Sequence, residues 1–188
     1  LKELRKRYLE ISSDTPRLAI APAEQRILDK LIWPLRHAKA SFMFQNYLGT
    51  IALCGMIAEM AAMLLFETSG FQINGRPMTA EQQADIFGAT FEKLGQDRRV
   101  KVLRGYGLIA KDQQDFFENI RLVRKRYLHL WSQDHEPLPG DAIKAYAAAA
   151  QLVLFVIGQD FKDGGIVLKP GIAAYLERTG MYVPEGDA

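Results

Sequence analysis

The stretch from Phe116 to Trp131, FFENIRLVRKRYLHLW, constrains the fold more than any other. Phe116, Ile120, Val123, Tyr127 and Leu130 recur at spacings of four, three, four and three, the period of one apolar stripe on an α-helix. Between them stand Arg121, Arg124, Lys125 and Arg126, and then His129. Four cations in six positions repel one another unless something anionic lies close. Two readings follow. The run is a solvated basic face near a helix C-terminus, where cations suit the macrodipole. Alternatively, Arg124 is a phosphate-binding cation and His129 a general acid/base near neutral pH.

The remainder of the chain is also helical in period. Residues 1 to 12 carry Leu1, Leu4, Tyr8 and Ile11 on one side, and Ser12 to Ala21 reads as a linker. A helix is expected from Pro22, with Ile27, Leu28, Leu31, Ile32 and Leu35 as its stripe and a kink at Pro34. Ala38 to Phe66 is expected to be the most apolar helix. Asn74-Gly75 marks a small hairpin within Gly70 to Pro77. Thr79 and Gln82 have capping-box spacing ahead of a helix over 80–94, closed by Gly95. A short helix is expected over Val100 to Leu108, and Asp112 opens the central helix. Asp141 is the expected N-cap of an Ala-rich helix, Ala142 to Gly158, suited to close packing. Asp163-Gly164-Gly165 interrupts the chain, and Pro170 to Arg178 has room for a last short helix.

These features predict an all-α bundle of about five main helices. The 188 residues, 48% of them hydrophobic, suffice for one domain with a real core. That core is expected at about 22–158, with the helix 1–12 and the tail 160–188 as appendages. The net charge of +2 argues against general coating of a polyanion, so any anion site must come from local clustering. Cys54 is the single cysteine, which excludes an internal disulfide and a cysteine-based zinc site, and its neighbours suggest a small core residue. His37 has no metal-ligand spacing around it, and His135 sits in a polar loop. No metal and no cofactor is expected. Glycine-rich nucleotide loops, zinc-protease motifs and nucleophile elbows are all missing.

Glu59 is the odd residue of the apolar helix, flanked by Met56, Ile57, Met60 and Ala61. A carboxylate in such surroundings must be paired or protonated, and the Arg residues of the 116–131 helix are the expected partners. Its charge also argues for a core helix over Tyr47 to Phe66 and against a membrane span. The N-terminal LKELRKRYLEI lacks an apolar secretory region, so a cytoplasmic setting is expected. A first residue other than Met suggests a trimmed or incomplete chain.

In order, ALCGMIAEMAAMLLF, then GYGLIAKDQQDFFENIRLVRKRYLH, then DAIKAYAAAAQLVL resemble the HEPN superfamily of small helical domains over roughly residues 38 to 158. The hallmark of that family is Arg, four to six residues, then His, and Arg124 and His129 match its short form. The resemblance implies a metal-independent endoribonuclease of the kind found in toxin–antitoxin, phage-defence or RNA-processing systems. In that chemistry His129 moves the proton of a 2′-OH or a leaving oxygen, and Arg124 stabilises charge developing on phosphorus. Arg121, Lys125 and Arg126 would contact phosphate, and Glu59 would orient the motif. Five positions on a regular helix set Arg124 and His129 about 140° apart. The family answer is a homodimer in which two such helices make one composite cleft, with RNA or a nucleotide as ligand and a protein as regulator. Two departures stand out. Lys125 takes the place where Asn is common, and Trp131 stands where one toxin subgroup has a modified Tyr. The alternatives are a non-catalytic module that binds RNA, nucleotide or protein, and a helical scaffold in which the Arg residues only neutralise Glu59.

Overall fold

A computed structural model describes residues 1–13, 15, 27–128, 134–158, 160–162, 165–167, 172, 174 and 175. The fold is all-α, with seven α-helices among the described residues: α1 (Lys2–Ser12), α2 (Trp33–Met43), α3 (Tyr47–Thr68), α4 (Ala80–Phe87), α5 (Gln96–Gly105), α6 (Lys111–Leu128) and α7 (Leu138–Ile157). Among the described residues strand pairing is confined to two short antiparallel hairpins, β1 (Gln72–Ile73) with β2 (Arg76–Pro77), and β3 (Asp160–Lys162) with β4 (Gly165–Val167).

Helix α3 is the axis of the molecule and packs on α2, α6 and α7. It buries Ile51, Cys54, Ile57, Ala58, Ala61 and Ala62, while α7 buries Ala142, Ala145, Ala149, Leu152, Val153 and Ile157. Small side chains on both helices permit close approach of their backbones, as the Ala-rich sequence predicts. The Cys54 thiol is fully buried, and burial pushes its pKa well up, which suits a core residue and not a nucleophile. Helix α1 adds Ile11 to the same core and donates from Arg7 Nε to the carbonyl of Met43 at 2.7 Å. Both α3 and α7 are long and apolar enough to cross a membrane, and of the most apolar 18-residue stretch of each, half in the first and 61% in the second is buried within the fold.

Several boundaries differ from the sequence-based expectation. The long helix over 38–66 is two helices. A turn at Phe44–Asn46 separates them, with Gln45 at φ 65°, and the Asn46 side chain accepts from the Gly49 N–H at 3.0 Å as the N-cap of α3. Thr50, fully buried, then donates to the Ala38 carbonyl at 3.1 Å and ties the two helices together. Pro34 sits in the first turn of α2, directly after a π-helical turn, Leu28–Ile32. It has no N–H for the carbonyl four residues back, and the wider turn before it absorbs that loss. The helix expected over 80–94 stops at Phe87, because Gly88 adopts φ 81° and caps it; a 3-10 turn at Phe91–Lys93 follows. The next helix begins at Gln96, four residues before the expected start.

Other local expectations match. Asn74 and Gly75, at φ 53° and 76°, make the tight turn of the first hairpin. Thr79 and Gln82 form a reciprocal capping box. An aromatic group on Phe66 of α3 gathers the following segments: Phe66 stacks on Phe91 of the 3-10 turn at 4.0 Å and on Phe71, just before the hairpin, at 4.6 Å, and meets Phe87 of α4 edge-on at 6.3 Å. Of the helix expected over 170–178, residues 172, 174 and 175 are helical and the rest lie outside the described residues.

Candidate functional site

Helix α6 buries Phe117, Ile120, Val123 and Tyr127, with Phe116 partly buried beside them, so the apolar stripe has the expected period. The cations on its other faces do not stand together in solvent. Three of the four meet carboxylates from three different helices. Arg121 donates to Glu118 one turn earlier on α6, at 2.8 Å and 2.5 Å. Arg124 donates from Nη1 to Glu59 of α3. Arg126 donates to Asp141 of α7 at 2.7 Å. Lys125 is exposed and has no carboxylate partner among the described residues. The mutual repulsion evident in the sequence is therefore relieved within the chain itself.

The Arg124–Glu59 pair sits on the seam between α3 and α6. Its side chains are 37% and 33% exposed, so the pair lies at the edge of the bundle and not in its interior. Gly55 shapes the contact. A Cβ built on Gly55 would stand 2.6 Å from Arg124 Cδ, so the arginine stem crosses α3 through the space that the missing side chain leaves. Gly55 and Glu59 are one turn apart, so one face of α3 supplies both the passage and the carboxylate. Arg124 Nε is buried without a hydrogen-bond partner, and Glu59 takes one donor of a guanidinium that has five.

Asp141 makes the second site on α6. It was expected to be an N-cap, but α7 begins at Leu138, and Asp141 is a helical residue, 6% exposed. The prolines at 137 and 139 explain the earlier start, since proline suits a first turn. Its carboxylate accepts from the Tyr127 hydroxyl at 2.9 Å, from Arg126 at 2.7 Å and from Lys144 at 3.4 Å. Burial alone would raise its pKa. The hydrogen bonds from Tyr127 and Lys144 and the charges of Lys144 and Arg126 outweigh burial and hold the carboxyl below the usual range. Tyr127 is pushed the other way, first by burial and then by its bond to Asp141. The hydrogen bond with Tyr127 and the charge of Asp141 keep Arg126 firmly protonated.

A third group joins α5 to α6. Arg121 and Glu118 reinforce each other's charged forms by hydrogen bonding, and Asp97, held low by its bond to Lys101, adds to the field at Arg121.

His129 and Trp131 lie outside the described residues, as does Leu130. His37 and His135 are exposed, and His135 meets the ring of Tyr127 edge-on at 5.8 Å. Among the described residues no cluster of His, Cys, Asp or Glu could hold a metal ion.

The structure thus brings Glu59 to Arg124, ties Arg121 and Arg126 into separate ion pairs, and leaves Lys125 open. Sequence reasoning missed the parts played by Gly55, Glu118 and Asp141. The i,i+3 spacing of Glu118 and Arg121 was readable in principle. Gly55 and Glu59, one turn apart on an apolar helix, could have hinted at a crossing side chain. No family model, curated protein or solved structure matches the chain.

Proposed function

We propose that the α3–α6 seam is an RNA-binding face and that the chain is a HEPN-like, metal-independent endoribonuclease acting as a homodimer in the cytoplasm, without a cofactor. The observation that carries this reading is the held guanidinium of Arg124. Its stem is fixed over Gly55 and one donor is fixed by Glu59, yet more than a third of the side chain faces solvent. A cation held in place beforehand needs little reorganisation when charge develops on a phosphate. Lys125 beside it is open to a neighbouring phosphate. Exposed Leu48 and Met56 on α3, and Leu122 and Leu128 on α6, supply apolar surface on the same two helices for a second copy. In such a dimer His129 of one copy serves as acid or base beside Arg124 of the other. A protein regulator of this face belongs to the same proposal.

The pairing of three cations with internal carboxylates favours a second reading, a module that binds RNA or a nucleotide weakly and does not cut it.

The test is incubation of the purified protein with single-stranded RNA in the presence of a chelator. Cleavage of RNA but not DNA is expected, because the 2′-OH is the nucleophile. His129→Ala should lower the rate by roughly 10²- to 10⁴-fold with the fold intact. Binding without cleavage by any RNA tried, in wild type and in Lys125→Asn, would favour the binding module. RNA binding unchanged in an Arg124→Ala, His129→Ala double variant would overturn both readings.

A further inference from the structure

Helix α2 turns an apolar stripe outward. Trp33, Ala40 and Phe44 follow one another at spacings of seven and four, on the side opposite its buried Pro34, Ala38 and Phe42. Trp33 is 41% exposed and Phe44, at the end of the helix, 76%. The stripe runs about 16 Å along the surface. Leu48, in the first turn of α3, is exposed as well. A large aromatic left in water is costly, and several on one element mark a contact surface. The same layer is basic. Helices α1 and α2 together hold six cations and two carboxylates, a net +4, in a chain whose total is +2. No Asp or Glu stands between Asp29 and Glu59. Among the described residues the ion pair of these two helices is Lys6 with Glu10. Arg36 and Lys39 lie over aromatic rings instead: Arg36 over Trp33 at 4.9 Å, and Lys39 over Tyr8 of α1 at 4.1 Å. A ring does not neutralise a cation, so both charges stay available to an anion.

The partner of such a face must be anionic at its surface and apolar beneath. A second copy supplies apolar surface, but a twofold contact through α2 would set Arg36 and Lys39 against their own counterparts. A nucleic acid supplies the charge, but its phosphates leave Phe44 and Leu48 in water. An anionic bilayer supplies both. Its acyl chains receive Phe44 and Leu48, its headgroup layer suits the indole of Trp33, and its phosphates and carboxylates meet Arg36 and Lys39. We propose that the α1–α2 face docks on the surface of an anionic phospholipid bilayer. The contact is peripheral: α3 and α7 remain in the core, and no helix crosses the bilayer. It lies apart from the α3–α6 seam and does not rest on the RNA reading.

The experiment is sedimentation of the full chain with vesicles of phosphatidylcholine and phosphatidylserine in equal parts, against vesicles of phosphatidylcholine alone. Binding to the mixed vesicles is expected, weakened by salt, with little binding to the neutral ones. Trp33 emission, read in Trp131→Phe so that it is the one indole present, should shift to the blue on binding. Phe44→Ser should weaken the partition about tenfold, the worth of burying a Phe side chain. Its exposure in the free protein means that the fold should survive, which an unchanged melting temperature checks. Arg36→Glu should weaken binding by roughly tenfold or more, as a charge reversed at an anionic surface. Lys93→Glu, the same reversal on the 3-10 turn, should cost far less. Absence of binding to the mixed vesicles would overturn the proposal, as would equal binding to the neutral ones or an unshifted Trp33 emission. Equal losses in Arg36→Glu and Lys93→Glu would overturn it too, since net charge and not this face would then be responsible. If vesicles are not bound and Phe44→Ser splits a dimer in the absence of lipid, the face joins two copies. If vesicles are not bound and Arg36→Glu abolishes binding of single-stranded RNA, the face belongs to nucleic acid. Either result refutes the membrane contact.

Discussion

Two carboxylates meet α6 from opposite neighbours, and they are built differently. Asp141 on α7 is buried and accepts from three side chains. Glu59 on α3 is one-third exposed and accepts from Arg124, with an open cleft on its other side. A buried, fully bonded carboxylate is costly to disturb and holds its neighbours in one arrangement. A half-exposed pair is weak, because solvent screens it, and it is free to exchange partners. The first joint fixes α6 to the bundle. The second leaves a positioned cation available to something else.

The largest effect is expected at the first joint. Asp141→Ala removes the acceptor of the Tyr127 hydroxyl, which is buried, and of Arg126, which is half-exposed. A loss of about 2–3 kcal/mol in chemical unfolding is expected from the charged hydrogen bonds lost. A loss below about 0.5 kcal/mol would reduce Asp141 to an ordinary surface acid and end the contrast.

The pH dependence of stability should follow the same residue. The folded pKa of Asp141 is depressed, so its contribution is present above the unfolded value of about 3.9 and is lost as pH falls through the folded value. Glu118 and Asp97 are depressed too, but their side chains are about half exposed and contribute little after screening. Melting temperature should therefore fall as pH drops below the ordinary carboxylate value of about 3.9, and Asp141→Asn should flatten that fall. An unchanged slope in Asp141→Asn would assign the acid transition to other carboxylates.

Glu59→Ala should cost only about 1 kcal/mol or less, far below the 3–5 kcal/mol typical of a broken buried pair. A larger loss would mean that Glu59 acts as a structural residue like Asp141, and the two joints would be alike.

Much of this arrangement was legible beforehand, for identifiable reasons. The apolar period of α6 follows from the regular spacing of Ile120, Val123 and Tyr127, and burial confirms it. A pairing of Glu59 with one of the Arg residues of α6 followed from desolvation, since a carboxylate on an apolar helix needs a cation; that the partner is Arg124 is a finding of the structure. Its degree of exposure did not, because that depends on how α3 and α6 meet. Asp141 misled for a related reason. An Asp before an Ala-rich run has the pattern of an N-cap, and only the tertiary contact with Tyr127 reveals its role. The break at Phe44–Asn46 was missed because apolar residues continue on both sides of it, while Asn46 is the sole local marker of a new start.

The smallest expected change in stability carries the sharpest distinction. Gly55→Ala adds a methyl group where Arg124 Cδ now passes, so the arginine stem must move off α3. The helix itself gains about 1 kcal/mol of propensity from the exchange, which offsets most of the lost pair. Net stability should change by less than about 1 kcal/mol. The position of the guanidinium, by contrast, changes outright. If Arg124 acts as a positioned cation, Gly55→Ala should impair RNA binding or cleavage nearly as much as Arg124→Ala does, while leaving the melting temperature close to wild type. If Arg124 serves only to neutralise Glu59, Gly55→Ala should leave both RNA binding and cleavage where they were. A stability measurement alone cannot separate these cases, so the variant must be assayed for melting and for RNA together.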